Sequence, residues 1–194
     1  MFTGLIRDLG KVADFNAGVL SVSVAPGFLD GIRTGDSIAI NVVCLSVTAM
    51  EKDLFRVFVS EETRRLTTSA SMPVGQTVNL EKPMRLGEML HGHLVQGHVD
   101  GLGSVEDLYR KDQSWILKVK YPKELDPYIV HKGSIAVNGI SLTVAKKYSL
   151  IFEVAVIPET IERTSLKSLD KNSKVNIETD LVAKYVENMI KHRT

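Results

Sequence analysis

The chain has 194 residues, 44% apolar and 24% charged, room for one large domain or two of about 90–100 residues each. Its 24 basic and 23 acidic side chains leave a net charge of +1, which argues against a general nucleic-acid binder. One cysteine, Cys44, excludes an intrachain disulfide and a multi-cysteine zinc site, and no apolar run reaches the ~18 residues of a membrane span. No apolar stretch follows Arg7 and Asp8 as an export signal would require, so a cytoplasmic, soluble protein is expected.

In chain order, residues 19–24 (VLSVSV) alternate with period two, as a half-buried strand should. Residues 27–32 suit a short helix, residues 54–59 (LFRVFV) a strand, and residues 86–90 a second short helix. Strand patterns return at 115–121 (WILKVKY) and 150–157 (LIFEVAVI), with a short helix expected at 123–130. Short strands broken by Gly, Asp, Asn and Pro at intervals of roughly ten residues suggest a small closed barrel or sandwich in each half. Closure removes the exposed edges that short strands otherwise leave. After Asp180 the pattern changes. Leu181, Val182, Tyr185, Val186, Met189 and Ile190 fall on one stripe of a helix, with Asp180 suited to cap it. A helix of about 12 residues is marginal alone in water, so it must pack on its own barrels or on copies of itself.

The chain repeats itself. Residues 38–47 (IAINVVCLSV) align with 135–144 (IAVNGISLTV) at an offset of 97, which also sets Glu62-Thr63 on Glu159-Thr160. The same offset sets residues 78–81 (VNLE) on 175–178 (VNIE). An offset of 93 sets Gly4, Leu9, Gly10 and Val12 on Gly97, Leu102, Gly103 and Val105. Four blocks in the same order mark a tandem duplication. The expected units are residues 1–90, residues 91–180 and a tail helix, residues 181–194.

Several constellations could carry chemistry. His91, His93 and His98 form an H-x-H-x4-H cluster, read either as part of a metal site or as structural histidines. Gly97, Gly101 and Gly103 lack the dinucleotide spacing and read as turn and bulge glycines. Cys44 and Ser141 occupy the same place in the two copies. Strand alternation sends Cys44 and Ser46 to one side and Leu45 and Val47 to the other, and Ser141 and Thr143 repeat this. Cys44 is either a small buried hydrophobe or part of a ligand site present in each half. Glu62-Thr63 and Glu159-Thr160, at strand ends, cap backbone amides or contact a polar heterocycle. Asp180 is a cap or an acid/base partner, and its repeat partner is Pro83.

The stretches MFTGLI, NVVCLSV, GHLVQGHVDG, VNGISLTV, IPETIERT and VNIETD with KYVE beyond it resemble the riboflavin synthase family, over residues 1–187. That resemblance implies a mainly β fold of two six-stranded Greek-key barrels and a C-terminal helix, assembled as a homotrimer through the helices. It implies one 6,7-dimethyl-8-ribityllumazine per barrel, with no metal or redox cofactor. A four-carbon unit would pass from one lumazine to the other, giving riboflavin and 5-amino-6-ribitylaminouracil. The active site would lie between the first barrel of one subunit and the second barrel of another. Lumazine synthase is the further partner it suggests.

By the same resemblance, Cys44, His98, Ser141, Thr143 and Asp180 match catalytic positions. Gly4, Leu5, Ile6, Ser141, Leu142, Thr143, Val156, Ile157, Pro158, Glu159, Thr160 and Ile161 match one lumazine site. Cys44, Leu45, Ser46, Phe58, Val59, Ser60, Glu61, Glu62, Thr63, Gly97, His98, Val99 and Lys132 match the other. Ser141 and Asp180 would assist proton transfer or activate the adding nucleophile, while Cys44 and His98 would orient the second lumazine and relay protons. The chain departs from the family at Val42, where a glycine is usual, at His91 (usually Gly) and at Ser46 (usually Thr). A valine held at positive φ would be strained by roughly 1–3 kcal/mol. The alternatives are a non-catalytic lumazine- or flavin-binding antenna protein, which tends to lose the catalytic set, and a barrel module without a ligand.

Overall fold

A computed structural model describes residues 1–191. Strands β1 (Asp8–Asn16), β2 (Val19–Val24), β3 (Ser37–Ile40), β4 (Val43–Glu51), β5 (Leu54–Phe58) and β6 (Thr77–Glu81) close an antiparallel barrel in the order β1-β2-β5-β4-β3-β6. Strands β7 (Gly101–Lys111), β8 (Ser114–Lys120), β9 (Ser134–Val137), β10 (Ile140–Tyr148), β11 (Ile151–Val156) and β12 (Lys174–Thr179) close a second barrel with the same cyclic order. Within each, three hairpin-linked strands are joined by a long connection to a fourth that lies beside the last of them, which is a Greek key. The duplication extends to irregularities. Register slips at Val12/Asp14 and Val47/Ala49 recur at Val105/Asp107 and Val144/Lys146.

Alternation fills each barrel. Leu45 and Val47 of β4 join Leu20, Phe55 and Leu80 in the first core, and Leu142 and Val144 of β10 join Leu117, Phe152 and Ile177 in the second. Each fully buried side chain of this size contributes about 1.5–3 kcal/mol of apolar stabilisation. A third, smaller cluster of Phe2, Ala39, Val42, Val95 and Ala136 lies between the barrels.

Four asparagines lock the halves together. Asn79 donates through Nδ2 to Asn138 O, and Asn176 donates to Asn41 O, both at 2.8 Å. Their Oδ1 atoms accept from Ser165 N at 2.7 Å and Thr68 N at 2.9 Å. These amides are buried, so each satisfied bond avoids a desolvation cost of roughly 1–3 kcal/mol.

The helices differ from expectation. Residues 27–32 form consecutive turns, because Gly27 and Gly31 both take positive φ and interrupt any helix. Residues 86–90 are a turn around Gly87 followed by irregular chain, and residues 123–130 hold only a 3-10 helix, Lys123–Tyr128. Two short helices occur instead after strands, α1 (Glu61–Leu66), capped by Ser60 Oγ on Thr63 N, and α2 (Pro158–Arg163), with Pro158 at its first position. The tail forms α3 (Leu181–Lys191). Asp180 caps it through Oδ1 on Val182 N at 2.9 Å. Residues 192–194 of the expected tail helix lie outside the described residues. Helix α3 is pinned to the second barrel by Lys184–Asp100 at 2.7 Å and by Tyr128 donating to Glu187 at 2.8 Å. Val182, Tyr185, Val186, Met189 and Ile190 stay exposed. No helix of the described residues is long and apolar enough to cross a membrane.

Candidate functional site

The two halves exchange their leading segments. Residues before β1 cross to the second barrel, where Ser141 N donates to Gly4 O at 2.8 Å and Ile6 enters the second core. Residues before β7 cross to the first barrel, where Cys44 N donates to Gly97 O at 2.9 Å and Val99 packs on the first core. Both glycines need their lack of a side chain. Each has positive φ, and a Cβ on Gly4 would stand 2.7 Å from Ser141 Cβ, while one on Gly97 would overlap Cys44.

Two carboxylates, half-buried Glu81 and buried Glu178, hold these segments in place. Glu81, at the end of β6, accepts from Thr3 N at 2.7 Å, Thr3 Oγ1 at 2.8 Å and Gly4 N at 3.0 Å. Glu178, on β12, accepts from Gln96 N at 2.6 Å, Gly97 N at 2.9 Å and His98 N at 3.0 Å. Burial pushes both carboxyls above the usual range, and the donated N–H bonds oppose that shift. Neither glutamate was expected as a site residue. Their signal was the repeated block at 78–81 and 175–178.

Cys44 and Ser141 do face outward, half-buried beneath these segments, with exposed Ser46 and Thr143 beside them. A cleft of about 480 Å³ opens over Ser141, lined by Gly4, Leu5, Ile6, Arg7, Ile140, Ile157, Glu159, Thr160, Arg163 and Thr164. Most of the expected second-barrel set therefore converges, with Pro158 exposed alongside on α2. Leu142, Val156 and Ile161 do not line this cleft with side chains, since alternation and the buried face of α2 send them into the core. Arg7, Ile140, Arg163 and Thr164 join the cleft without having been expected there. A second cleft of about 590 Å³ lies beside it along the linker, between Arg7, Lys82, Arg85 and His91.

At the first barrel, Gly97 lies over Cys44, followed in the linker by exposed His98 and half-buried Val99. Phe58, Ser60, Glu61 and Glu62 are exposed and Thr63 half-buried at the end of β5 and on α1. Glu62 is held below the usual carboxylate range by Arg65, which donates to it at 2.7 and 3.0 Å. Leu45 and Val59 face the core instead. Lys132 does not join this set within the chain. Its N–H donates to Val144 O at 2.8 Å, which fixes it on the second barrel.

The histidines do not converge on a metal, and among the described residues no three His, Cys, Asp or Glu side chains are placed to hold one. His98 is exposed at the place Leu5 takes in the other half. His93, expected only as part of a metal cluster or as a structural histidine, lies against Ser141 instead. Its ring is buried, with Nδ1 2.7 Å from Ser141 Oγ. Burial pushes the imidazole below its ordinary value, opposed by the charge of Asp180. Asp180 therefore caps α3 and also acts electrostatically on the histidine beside Ser141.

The lumazine binding domain family matches residues 3–83 and 96–180, one match per barrel. Riboflavin synthase of Actinobacillus pleuropneumoniae is 37% identical, over 98% of this chain and 90% of that protein. Riboflavin synthase of Chlamydia muridarum (strain MoPn / Nigg) is 40% identical over 95% of this chain and 92% of that protein. Among solved structures, LumP complexed with riboflavin superposes with a TM-score of 0.86 at 23% identity, covering 92% of this chain and 99% of that one. LumP complexed with 6,7-dimethyl-8-(1'-D-ribityl) lumazine gives 0.82. At that identity the likeness to LumP concerns the fold. Two family matches, one on each closed barrel, and 37–40% identity to riboflavin synthases over nearly the full length of this chain place it in the riboflavin synthase family of lumazine-binding proteins.

Proposed function

We propose that the protein is a riboflavin synthase that joins two molecules of 6,7-dimethyl-8-ribityllumazine. A four-carbon unit passes from one to the other, leaving riboflavin and 5-amino-6-ribitylaminouracil. The observation that carries this reading is the paired arrangement of Ser141 under Gly4 and Cys44 under Gly97, one outward polar position per barrel. Two like heterocycles call for two like pockets, and holding both turns a bimolecular encounter into a local one. The departures between pockets, Ser141 for Cys44, Leu5 for His98 and Asp180 for Pro83, give donor and acceptor different surroundings.

Within one chain the two pockets belong to different barrels. They meet when a neighbouring subunit brings its second barrel to the first, and the exposed apolar stripe of α3 supports a homotrimer built on that helix. In such an assembly Lys132, on the second barrel, completes the Cys44 pocket of a neighbour. The reaction starts with proton loss from the 7-methyl group of one lumazine and addition of a nucleophile at C7 of the other. The ring takes up the charge, so Ser141, Thr143, Asp180, Cys44 and His98 position, exchange protons and stabilise charge. Incubation with the ribityllumazine and no cofactor, followed by riboflavin absorbance, tests this. Riboflavin is the expected product. Binding without product would favour an antenna-type protein, and inertness toward the ligand would overturn both readings.

A further inference from the structure

His93 enters the second barrel from the linker, not from a strand. Its N–H donates to Thr3 O at 3.2 Å, so the backbone that carries the ring is tied to the segment roofing Ser141. The residue is 8% exposed. Nδ1 stands 2.7 Å from Ser141 Oγ, while Nε2 is buried with no hydrogen-bond partner among the described residues.

That asymmetry between the ring nitrogens selects a tautomer. Burial favours the neutral ring, which carries a single proton. Asp180 acts on the ring through its charge and not through a hydrogen bond. Placed on Nε2, the proton would make a buried N–H with no hydrogen-bond acceptor among the described residues, an arrangement native proteins rarely keep. Placed on Nδ1, it is used by Ser141 Oγ, and the deficit shrinks to one bare lone pair on Nε2.

We propose that His93 is a positioning residue whose Nδ1–H donates to Ser141 Oγ and so commits the serine's own O–H to donate into the second-barrel cleft. The proposal rests on reading that cleft as a lumazine pocket. A hydroxyl has one proton, and once its oxygen accepts from the imidazole the remaining direction for that proton is the ligand. Ser141 then offers a fixed donor to a carbonyl oxygen or ring nitrogen of the bound heterocycle. Such a donor stabilises negative charge spreading over the ring, because it is already oriented before the charge appears. It does not take the proton from the methyl group. Cys44, at the matching place in the first barrel, offers only a thiol, a weak donor. The chemistry therefore assigns charge stabilisation by a strong donor to the second barrel.

The direct test is nitrogen-15 NMR of the full-length protein labelled at histidine. A pyrrole-type Nδ1 and a pyridine-type Nε2 at His93 are expected, and the reverse assignment overturns the proposal without reference to activity. Kinetics supply the second arm. His93→Leu should lower kcat by roughly ten- to a hundredfold while KM shifts less than about threefold, the pattern of an interaction realised in the transition state. His93→Asn, whose amide can donate from nearly the Nδ1 position, should recover turnover to within about fivefold of the parent. Adding Ser141→Ala to His93→Leu should cost less than about threefold more, since both act through one hydroxyl. Equal damage from Asn and Leu, or fully additive losses, would overturn the proposal. An unmodified protein that makes no riboflavin defeats the lumazine reading instead, and the NMR result still stands on its own.

Discussion

Val42 meets Gly139 where the two barrels face each other, and a Cβ on Gly139 would stand 2.9 Å from the Val42 nitrogen. Both sit second in a turn after an asparagine, with φ of +46° at Asn41 and Asn138, +76° at Val42 and +83° at Gly139. The valine is left-handed yet buried among Phe2, Val95 and Ala136. Two opposed terms decide what Val42→Gly does. Release of the left-handed strain gains about 1–2 kcal/mol. Loss of the buried side chain and of backbone restriction costs about 2–3 kcal/mol. A net loss of roughly 1 kcal/mol is expected in urea denaturation, against about 3 kcal/mol for Val137→Gly, where an ordinary strand offers no strain to release. Gly139→Ala should cost at least ~2 kcal/mol, since a left-handed alanine must also displace the Val42 backbone. Equal losses for the two valines would show that Val42 carries no strain.

How much of this was legible follows from how local each feature is. The pairing of Cys44 with Ser141 was readable because a repeat and a two-residue alternation both act within a strand. Asp180 as a helix cap was readable for the same reason. The helices expected at 27–32 and 86–90 failed on glycines whose positive φ outweighs an apolar pattern. The carboxylate clamps of Glu81 and Glu178, and the contact of His93 with Ser141, depend on leading segments crossing to the opposite barrel. Those partners lie 48 to 82 residues apart in the chain, and no local pattern encodes the crossing. Alternation also explains why Leu45 and Leu142, adjacent to site residues in sequence, face away from the site.

His93 gives stability a defined pH dependence. Its folded pKa lies below the ordinary 6.5, so between the two values the unfolded chain binds more protons than the folded one. Stability is therefore fully present above about 6.5 and is lost as pH falls through that value toward the folded pKa. Asp180 moderates the effect by favouring the charged ring. Thermal melts at pH 7.5 and 5.5 should show a larger fall for the parent than for His93→Asn, which has no proton to gain at this position. The difference between the two proteins isolates the histidine from Glu81 and Glu178, whose carboxyls are also shifted. Parallel curves would mean that the ring titrates as it does in water.

Asp180 can be tested without losing its structural part. Asparagine caps a helix as well as aspartate does, so Asp180→Asn keeps the bond to Val182 N and removes only the charge. Ser141→Ala likewise removes a hydroxyl while the strand bond from Ser141 N to Gly4 O remains. Each should lower turnover by about 10–100-fold and change ribityllumazine affinity less than about fivefold, as measured by steady-state kinetics and fluorescence titration. Affinity that falls in step with turnover would assign both residues to ground-state binding instead.

The tail helix offers the clearest test of assembly. Its polar face is occupied by Lys184–Asp100 and Glu187–Tyr128 on its own barrel, while Val182, Tyr185, Val186, Met189 and Ile190 face away, all exposed. An amphipathic helix of 11 residues is too short to be stable through propensity alone, so an uncovered apolar stripe needs a partner surface. Charged residues at Val186 and Met189 would each be buried against like charges at a helix-to-helix contact, whereas on an isolated chain they would simply meet water. On the proposed trimer, Val186→Glu with Met189→Glu should therefore sediment as monomers at concentrations where the parent assembles, with unchanged far-ultraviolet circular dichroism. Turnover should fall with assembly if, as proposed, a complete site draws one barrel from each of two chains. A variant that stays trimeric would show that the contact between subunits lies on the barrels and not on α3.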